Sequence, residues 1–178
     1  MLQIIAIVLV IIVVAVAALL VFAAMKPDAF RIQRTASMKA PPDMIFALIN
    51  DFHNLASWSP WEKLDPHLKR TYGGSANGQG ATYEWEGNKK VGKGRMEIME
   101  SSPPSKITIK LDFLKPFEAH NTAEFTLSSQ GDSTQVTWAM NGRQPFMFKV
   151  MTVFLSMDKM VGKDFETGLA NIKSIVEK

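Results

Sequence analysis

The chain has no cysteine. That excludes a thiol nucleophile and any disulfide, and it leaves the compartment open, because disulfide-free domains occur on both sides of a membrane. Histidine is scarce. His53, His67 and His120 stand apart, none at the spacing of a metal-ligand pair, so we expect neither a metal site nor a catalytic imidazole. Ser57, Ser59 and Ser156 lack a readable triad context. Gly92-Lys93-Gly94 is too short for a phosphate-binding loop and lies in a strand pattern, where it reads as a bulge or a close backbone approach. Internal repeats and low-complexity tracts are missing. The formal charge of +3 is modest. The basic residues are scattered over Lys69-Arg70, Lys89-Lys90, Lys106 and Lys110, whereas a nucleic-acid reader concentrates them on one face. No nucleic-acid partner and no cofactor are expected.

Charge, proline, glycine and asparagine are all absent between Ile4 and Met25. A helix of about 22 residues rises ~1.5 Å per residue and spans the ~30 Å hydrocarbon core of a bilayer. A cleaved signal peptide is the competing reading. It would want a basic start, a shorter apolar core and a terminal small-residue site, but Met1-Leu2-Gln3 carries no charge and Ala15-Val16-Ala17 lies in mid-run. A buried core helix would show a polar face, and this run has none. Lys26, Arg31, Arg34 and Lys39 all follow the run, so the positive-inside rule places what comes after it in the cytoplasm. We therefore expect residues 1–27 to form an anchor with a short linker and residues 28–178 one globular domain at a cell membrane.

Within that domain, Phe30, Ile32, Ala36 and Met38 share one face of a first strand. Ala40-Pro41-Pro42-Asp43 breaks it, and Pro42 suits the opening turn of a helix carrying Ile45, Phe46, Leu48 and Ile49. A second short helix around Phe52–Ser57 leads into Trp58-Ser59-Pro60-Trp61. The pattern then alternates with period two. Arg70–Tyr72 is followed by Ala81, Tyr83 and Trp85, then by Val91 to Glu100 with Met96 and Ile98. Next come Ile107, Ile109, Leu111 and Phe113, then Ala123, Phe125 and Leu127, then Val136, Trp138 and Met140. Turn residues punctuate these strands. Helical spacing returns with Phe154, Val161, Phe165, Leu169, Ile172 and Val176. Successive strands without helical crossovers give an α+β fold: a curved antiparallel sheet of about seven strands, with the long last helix covering its apolar face.

This order resembles the START-like superfamily, and more narrowly the bacterial polyketide cyclase/dehydrase and lipid-transport group known as SRPBCC. The resemblance rests on Ala40-Pro41-Pro42, on Trp58-Ser59-Pro60-Trp61-Glu62 with Asp65-Pro66, and on Gly80 ahead of Tyr83-Glu84-Trp85-Glu86-Gly87-Asn88. It continues through Val91-Gly92-Lys93-Gly94 to Met157–Phe165 with Gly168-Leu169. It covers nearly all of residues 30–178 and implies the helix-grip fold, with a hydrophobic cavity between the sheet and the last helix. It implies no particular chemistry.

Asp158 is the sharpest anomaly, because it falls on the apolar stripe shared by Phe154, Val161 and Phe165. In the cavity such a carboxylate would have a raised pKa and could anchor a polar head or move a proton. In the alternative reading, Ser156 caps the helix and Asp158 sits in its first turn, where negative charge suits the dipole. Trp58, Trp61 and Glu62 would stack and orient a ring-bearing ligand, or plug the short helices onto the sheet. Tyr83, Trp85 and Trp138 point inward, and with Met96, Ile109, Leu111, Phe125, Phe154 and Val161 they complete the expected ligand-binding set. Phe146–Met151 with Val153, Phe154 and Leu155 form a Met- and Phe-rich segment. It would gate the cavity, touch the bilayer, or pack the sheet end. The expected function is membrane-tethered binding of a hydrophobic small molecule or lipid. A cyclase or hydratase using Asp158 or Glu62 as a cavity carboxylate, and a protein-interaction module, are the alternatives. Oligomeric state is not legible.

Overall fold

The computed structural model describes residues 1–154 and 156–178; Leu155, in the Met- and Phe-rich segment, lies outside them. The apolar run forms helix α1, Leu2–Ala24, which is long and apolar enough to cross a membrane. Alternating apolar residues then build β1 (Ala29–Met38). The Pro41-Pro42 step closes it, and α2 (Pro42–Ile49) buries Ile45, Phe46 and Ile49. The expected second short helix resolves into a tight 3-10 turn, Phe52–Asn54, and one turn of α-helix, α3 (Leu55–Trp58). A further 3-10 turn, Pro60–Lys63, carries Trp61 and Glu62.

Six strands follow: β2 (Lys69–Gly74), β3 (Ala81–Glu86), β4 (Lys93–Ser102), β5 (Lys106–Lys115), β6 (Ala119–Gln130) and β7 (Ser133–Arg143). They form one seven-stranded sheet in the order β1-β7-β6-β5-β4-β3-β2. All six pairings are antiparallel. The first strand thus returns to lie beside the last. The inner phase of every strand but the fully exposed β2 supplies the core: Ile32 and Met38 from β1, Tyr83 and Trp85 from β3, Ile98 from β4, Ile107 and Ile109 from β5, Phe125 from β6, and Val136 and Trp138 from β7. On the outer face, ion pairs such as Arg95 with Glu84 and Lys106 with Glu100 stand in solvent.

Two helices close the chain where the sequence predicts one: α4 (Phe146–Phe154) and α5 (Met157–Val176). The Ser156 side chain accepts a hydrogen bond from the Lys159 backbone N–H and starts α5 afresh. Phe154 is therefore the last residue of α4 and not part of the α5 stripe. Phe165, Leu169, Ile172 and Val176 of α5 are buried against the sheet. The result is an α+β helix-grip fold preceded by an apolar helix.

Candidate functional site

Between the concave face of the sheet, α5 and the short helices lies a cavity of about 200 Å³. Ten of the twelve residues expected at a ligand site line it: Trp58, Trp61, Tyr83, Trp85, Met96, Ile109, Leu111, Phe125, Trp138 and Val161. For the seven on β3 to β7 period two is the physical reason, because it aims every second side chain at the same face. The same signal reaches Phe113, Ala123 and Met140, which also line the cavity but were not among the expected set. Ile49, Phe52 and Leu55 close it from the helix side.

The two remaining residues lie elsewhere. Phe154 is 74% exposed on α4 and takes no part in the cavity. Asp158 is a surface residue in the first turn of α5. Its carboxylate accepts hydrogen bonds from the Arg34 guanidinium at 2.9 and 3.1 Å, and those bonds hold its carboxyl below the usual range rather than above it. Arg34 also donates to Glu166, at 2.6 Å. It packs over Gly162, where a Cβ would come within 2.0 Å of its Nη2. Asp158 thus belongs to a clamp joining β1 to α5. The Met- and Phe-rich segment does not gate the cavity either, since no described residue of α4 lines it.

Among the described residues lining the cavity, Glu62 carries the ionisable carboxylate. Its side chain is only 7% exposed, against 30% for its partner Arg70. Arg70 Nε donates to Glu62 Oε2 at 2.6 Å, and the Tyr83 hydroxyl donates to Oε1 in a short hydrogen bond. Burial, reinforced by that carboxylate, pushes the Tyr83 phenol far above its ordinary pKa, so it remains a neutral donor. Burying a carboxylate is costly unless its lone pairs are engaged, and here both oxygens are. Replacing Arg70 by methionine should leave Glu62 with one neutral donor. We expect a loss of roughly 1–3 kcal/mol in urea unfolding. The same loss on a Glu62→Gln background would point to packing instead.

Aromatic rings make up the rest of the wall. Trp138 lies between Phe165, at 4.1 Å and 7°, and Phe125, at 4.9 Å and 26°. Trp58 and Trp61 meet it edge to face at 5.5 and 5.8 Å. The indole N–H groups of Trp58 and Trp138 are buried without a hydrogen-bond partner among the described residues. Asp164, beside Trp61, is raised by burial. Asn171 of α5 donates to the Trp58 carbonyl at 2.9 Å and pins the short helices to α5.

The sequence motifs converge at one end of the cavity. Asp65 accepts from the backbone N–H groups of His67 (2.9 Å) and Asn88 (2.6 Å), tying the segment before β2 to the β3–β4 turn. Gly92 has φ +70° and approaches the Lys115 carbonyl so closely that a Cβ would lie 2.2 Å from it. At Gly94 a Cβ would strike the Trp85 ring at 2.3 Å, so glycine is what allows that indole to lie flat across β4. The pairing of β4 with β5 shifts register between Lys93 and Gly94, which is the bulge that Gly92-Lys93-Gly94 suggested.

A curved sheet gripping a long helix around an apolar cavity defines the helix-grip class. Residues 29–177 match the family model described as polyketide cyclase / dehydrase and lipid transport, and the chain belongs to that family. No curated protein matches the chain. Among solved structures, ginseng major latex-like protein 151 from Panax ginseng superposes with a TM-score of 0.62 at 10% identity, covering 85% of this chain and 100% of that one. The di-domain ARO/CYC protein BexL from the BE-7585A biosynthetic pathway also reaches 0.62, at 13% identity, over 88% of this chain and 53% of that one. Protein CV1439 from Chromobacterium violaceum gives 0.58 at 15% identity, over 85% and 99%. At such identities the likeness establishes the fold.

Proposed function

We propose that the chain binds a hydrophobic small molecule, or the apolar part of a lipid, in the cavity between sheet and α5, while α1 holds it at a membrane. The observation that carries this reading is an apolar cavity of about 200 Å³ with a single buried acid cluster at Glu62. An engineered cavity of ~150 Å³ in another protein stays dry and takes up benzene, so this volume suits a ring system or a length of acyl chain rather than an intact phospholipid. The ten cavity residues expected from the sequence supply apolar contact, and Tyr83 with Glu62 orients a polar end. Residues 4–25 crossing the bilayer, with the basic residues after them on the cytoplasmic side, hold the cavity at high effective concentration of bilayer-soluble molecules.

A cyclase or dehydrase reaction is the second reading. It is favoured by Glu62, whose carboxylate and phenol partner face the cavity. Native mass spectrometry of residues 28–178, purified without detergent and followed by organic extraction, tests both. A co-purifying apolar molecule is the expected result, and a cyclised or dehydrated product in the extract would favour the second reading. A domain that stays empty after exposure to a membrane extract would remove the binding reading.

A further inference from the structure

Helix α4 is built inside out. Its inward side carries a polar cluster beside half-buried Phe148 and Val153: Lys149 is buried and donates to the Lys26 carbonyl at 2.8 Å and to the Asp28 carboxylate, while Lys26 Nζ donates to the Thr152 hydroxyl at 3.2 Å. Its outward side is apolar. Phe146, Met147, Met151 and Phe154 are exposed, Met147 and Phe154 at 73% and 74%. At 100° per residue these positions fall on one face. A helix of a water-soluble surface has the opposite arrangement.

The strand register shows what this face adjoins. Ala29 pairs with Arg143, Phe113 with Ala119, Lys93 with Lys115, and Lys69 with Glu86. The start of β1, the β3–β4 turn and the β5–β6 turn therefore share the end of the sheet to which α1 is joined. Phe117, 68% exposed, projects from the β5–β6 turn, and Leu114 is exposed at the end of β5. Lys89 and Lys90 are exposed on the β3–β4 turn. Lys93 and Lys115 stand opposite one another at the same end, with Lys93 also donating to Glu86 at 3.2 Å. Val91 and Phe113 at this same end line the cavity.

We propose that this end of the domain is a docking surface for an anionic bilayer. The apolar side of α4 and the tip of the β5–β6 turn enter the interface, and the turn lysines meet the headgroups. The bilayer is the occupant because the surface continues directly from α1, to whose C-terminal end α4 is bonded. The proposal rests on the reading of α1 as the tether. It adds that the cavity is presented end-on to the lipid from which an apolar ligand would come.

The chain has no native cysteine, so single labels are unambiguous. Full-length chain bearing Phe154→Cys, Phe117→Cys or, at the far end, Asp132→Cys is labelled with an environment-sensitive fluorophore. It is then reconstituted in vesicles of phosphatidylcholine with phosphatidylglycerol. We expect lipid-borne nitroxide to quench the labels at 154 and 117 several-fold more than the label at 132, with the reverse order for aqueous iodide. Vesicles of phosphatidylcholine alone should weaken the effect at 117. Labels at 154 and 117 that behave like the one at 132 overturn the proposal. So does shielding from iodide without quenching by lipid, which would put a protein on this face instead. Alkaline carbonate extraction of the same vesicles reads α1 separately. A chain that is stripped off loses the tether and the docking surface with it, whereas a retained chain with exposed labels loses the docking surface alone. An apolar molecule co-purifying with residues 28–178 reads the cavity independently of either.

Discussion

Trp138→Ala is expected to cost roughly 3–5 kcal/mol in unfolding free energy, a large share of the ~5–15 kcal/mol that holds a domain together. The ring is stacked between Phe125 and Phe165 and met edge-on by Trp58 and Trp61. It therefore joins the sheet, α5 and the short helices at once. Helix α5 lies directly on it: a Cβ at Gly168 would come within 2.7 Å of the indole. Removing the ring leaves a void next to an existing cavity, where collapse cannot refill it, so the loss should fall in the upper part of the range for aromatic truncations. Urea unfolding followed by circular dichroism measures this, and Trp138→Phe should recover most of the loss by keeping a stack. A loss below about 1 kcal/mol for the alanine variant would mean that this stack does not hold α5 to the sheet.

Filling the cavity should have the opposite signature. Ala123 of β6 is buried and lines the cavity, directly opposite Ile109 on one side and Met140 on the other. Ala123→Phe projects a ring into the space a ligand would use. Binding of anilinonaphthalene sulfonate should fall by about tenfold or more, while the unfolding free energy stays level or rises by roughly 0.5–2 kcal/mol, as cavity-filling changes do. If the variant instead loses about 1–3 kcal/mol, the site is overpacked and the cavity is not available to a ligand of that size. Undiminished probe binding with unchanged stability would place the binding site elsewhere. Taken with Trp138→Ala, this variant separates residues that hold the wall from residues that border the space.

Much of the site was legible because β-structure is strictly periodic. Once Ile109, Leu111 and Phe113 alternate with polar residues, the inward face of β5 follows, and its neighbours repeat the pattern. The acid was harder to place. Asp158 drew attention by its position after Phe154, and that spacing carried weight only if one helix ran through both. The Ser156 cap shows that it does not. A second irregularity could have corrected the reading: Arg34 stands in the inward phase of β1, among Ile32, Ala36 and Met38. An unmatched cation on β1 and an unmatched anion on α5 are each other's partners, but only the packing of α5 along β1 brings them together. Glu62 had no periodic signal, since it sits on a 3-10 turn, where neither period two nor 3.6 assigns a face.

The sequence by itself determined the properties that depend on neighbours along the chain. These are an apolar helix long enough for a bilayer, the strand faces, the Pro and Gly breaks, and an antiparallel α+β order whose motifs marked the family. The tertiary structure decided what depends on residues far apart in sequence. It set β1 beside β7 and split the final helical region into α4 and α5. It also engaged both oxygens of Glu62, and left a cavity where the aromatic side chains do not fill the space under α5. The physical reason is the range of the forces involved. Propensity and hydrophobic period act over a few residues, whereas cavity volume, ion pairing and desolvation are set by whichever distant groups the fold brings into contact.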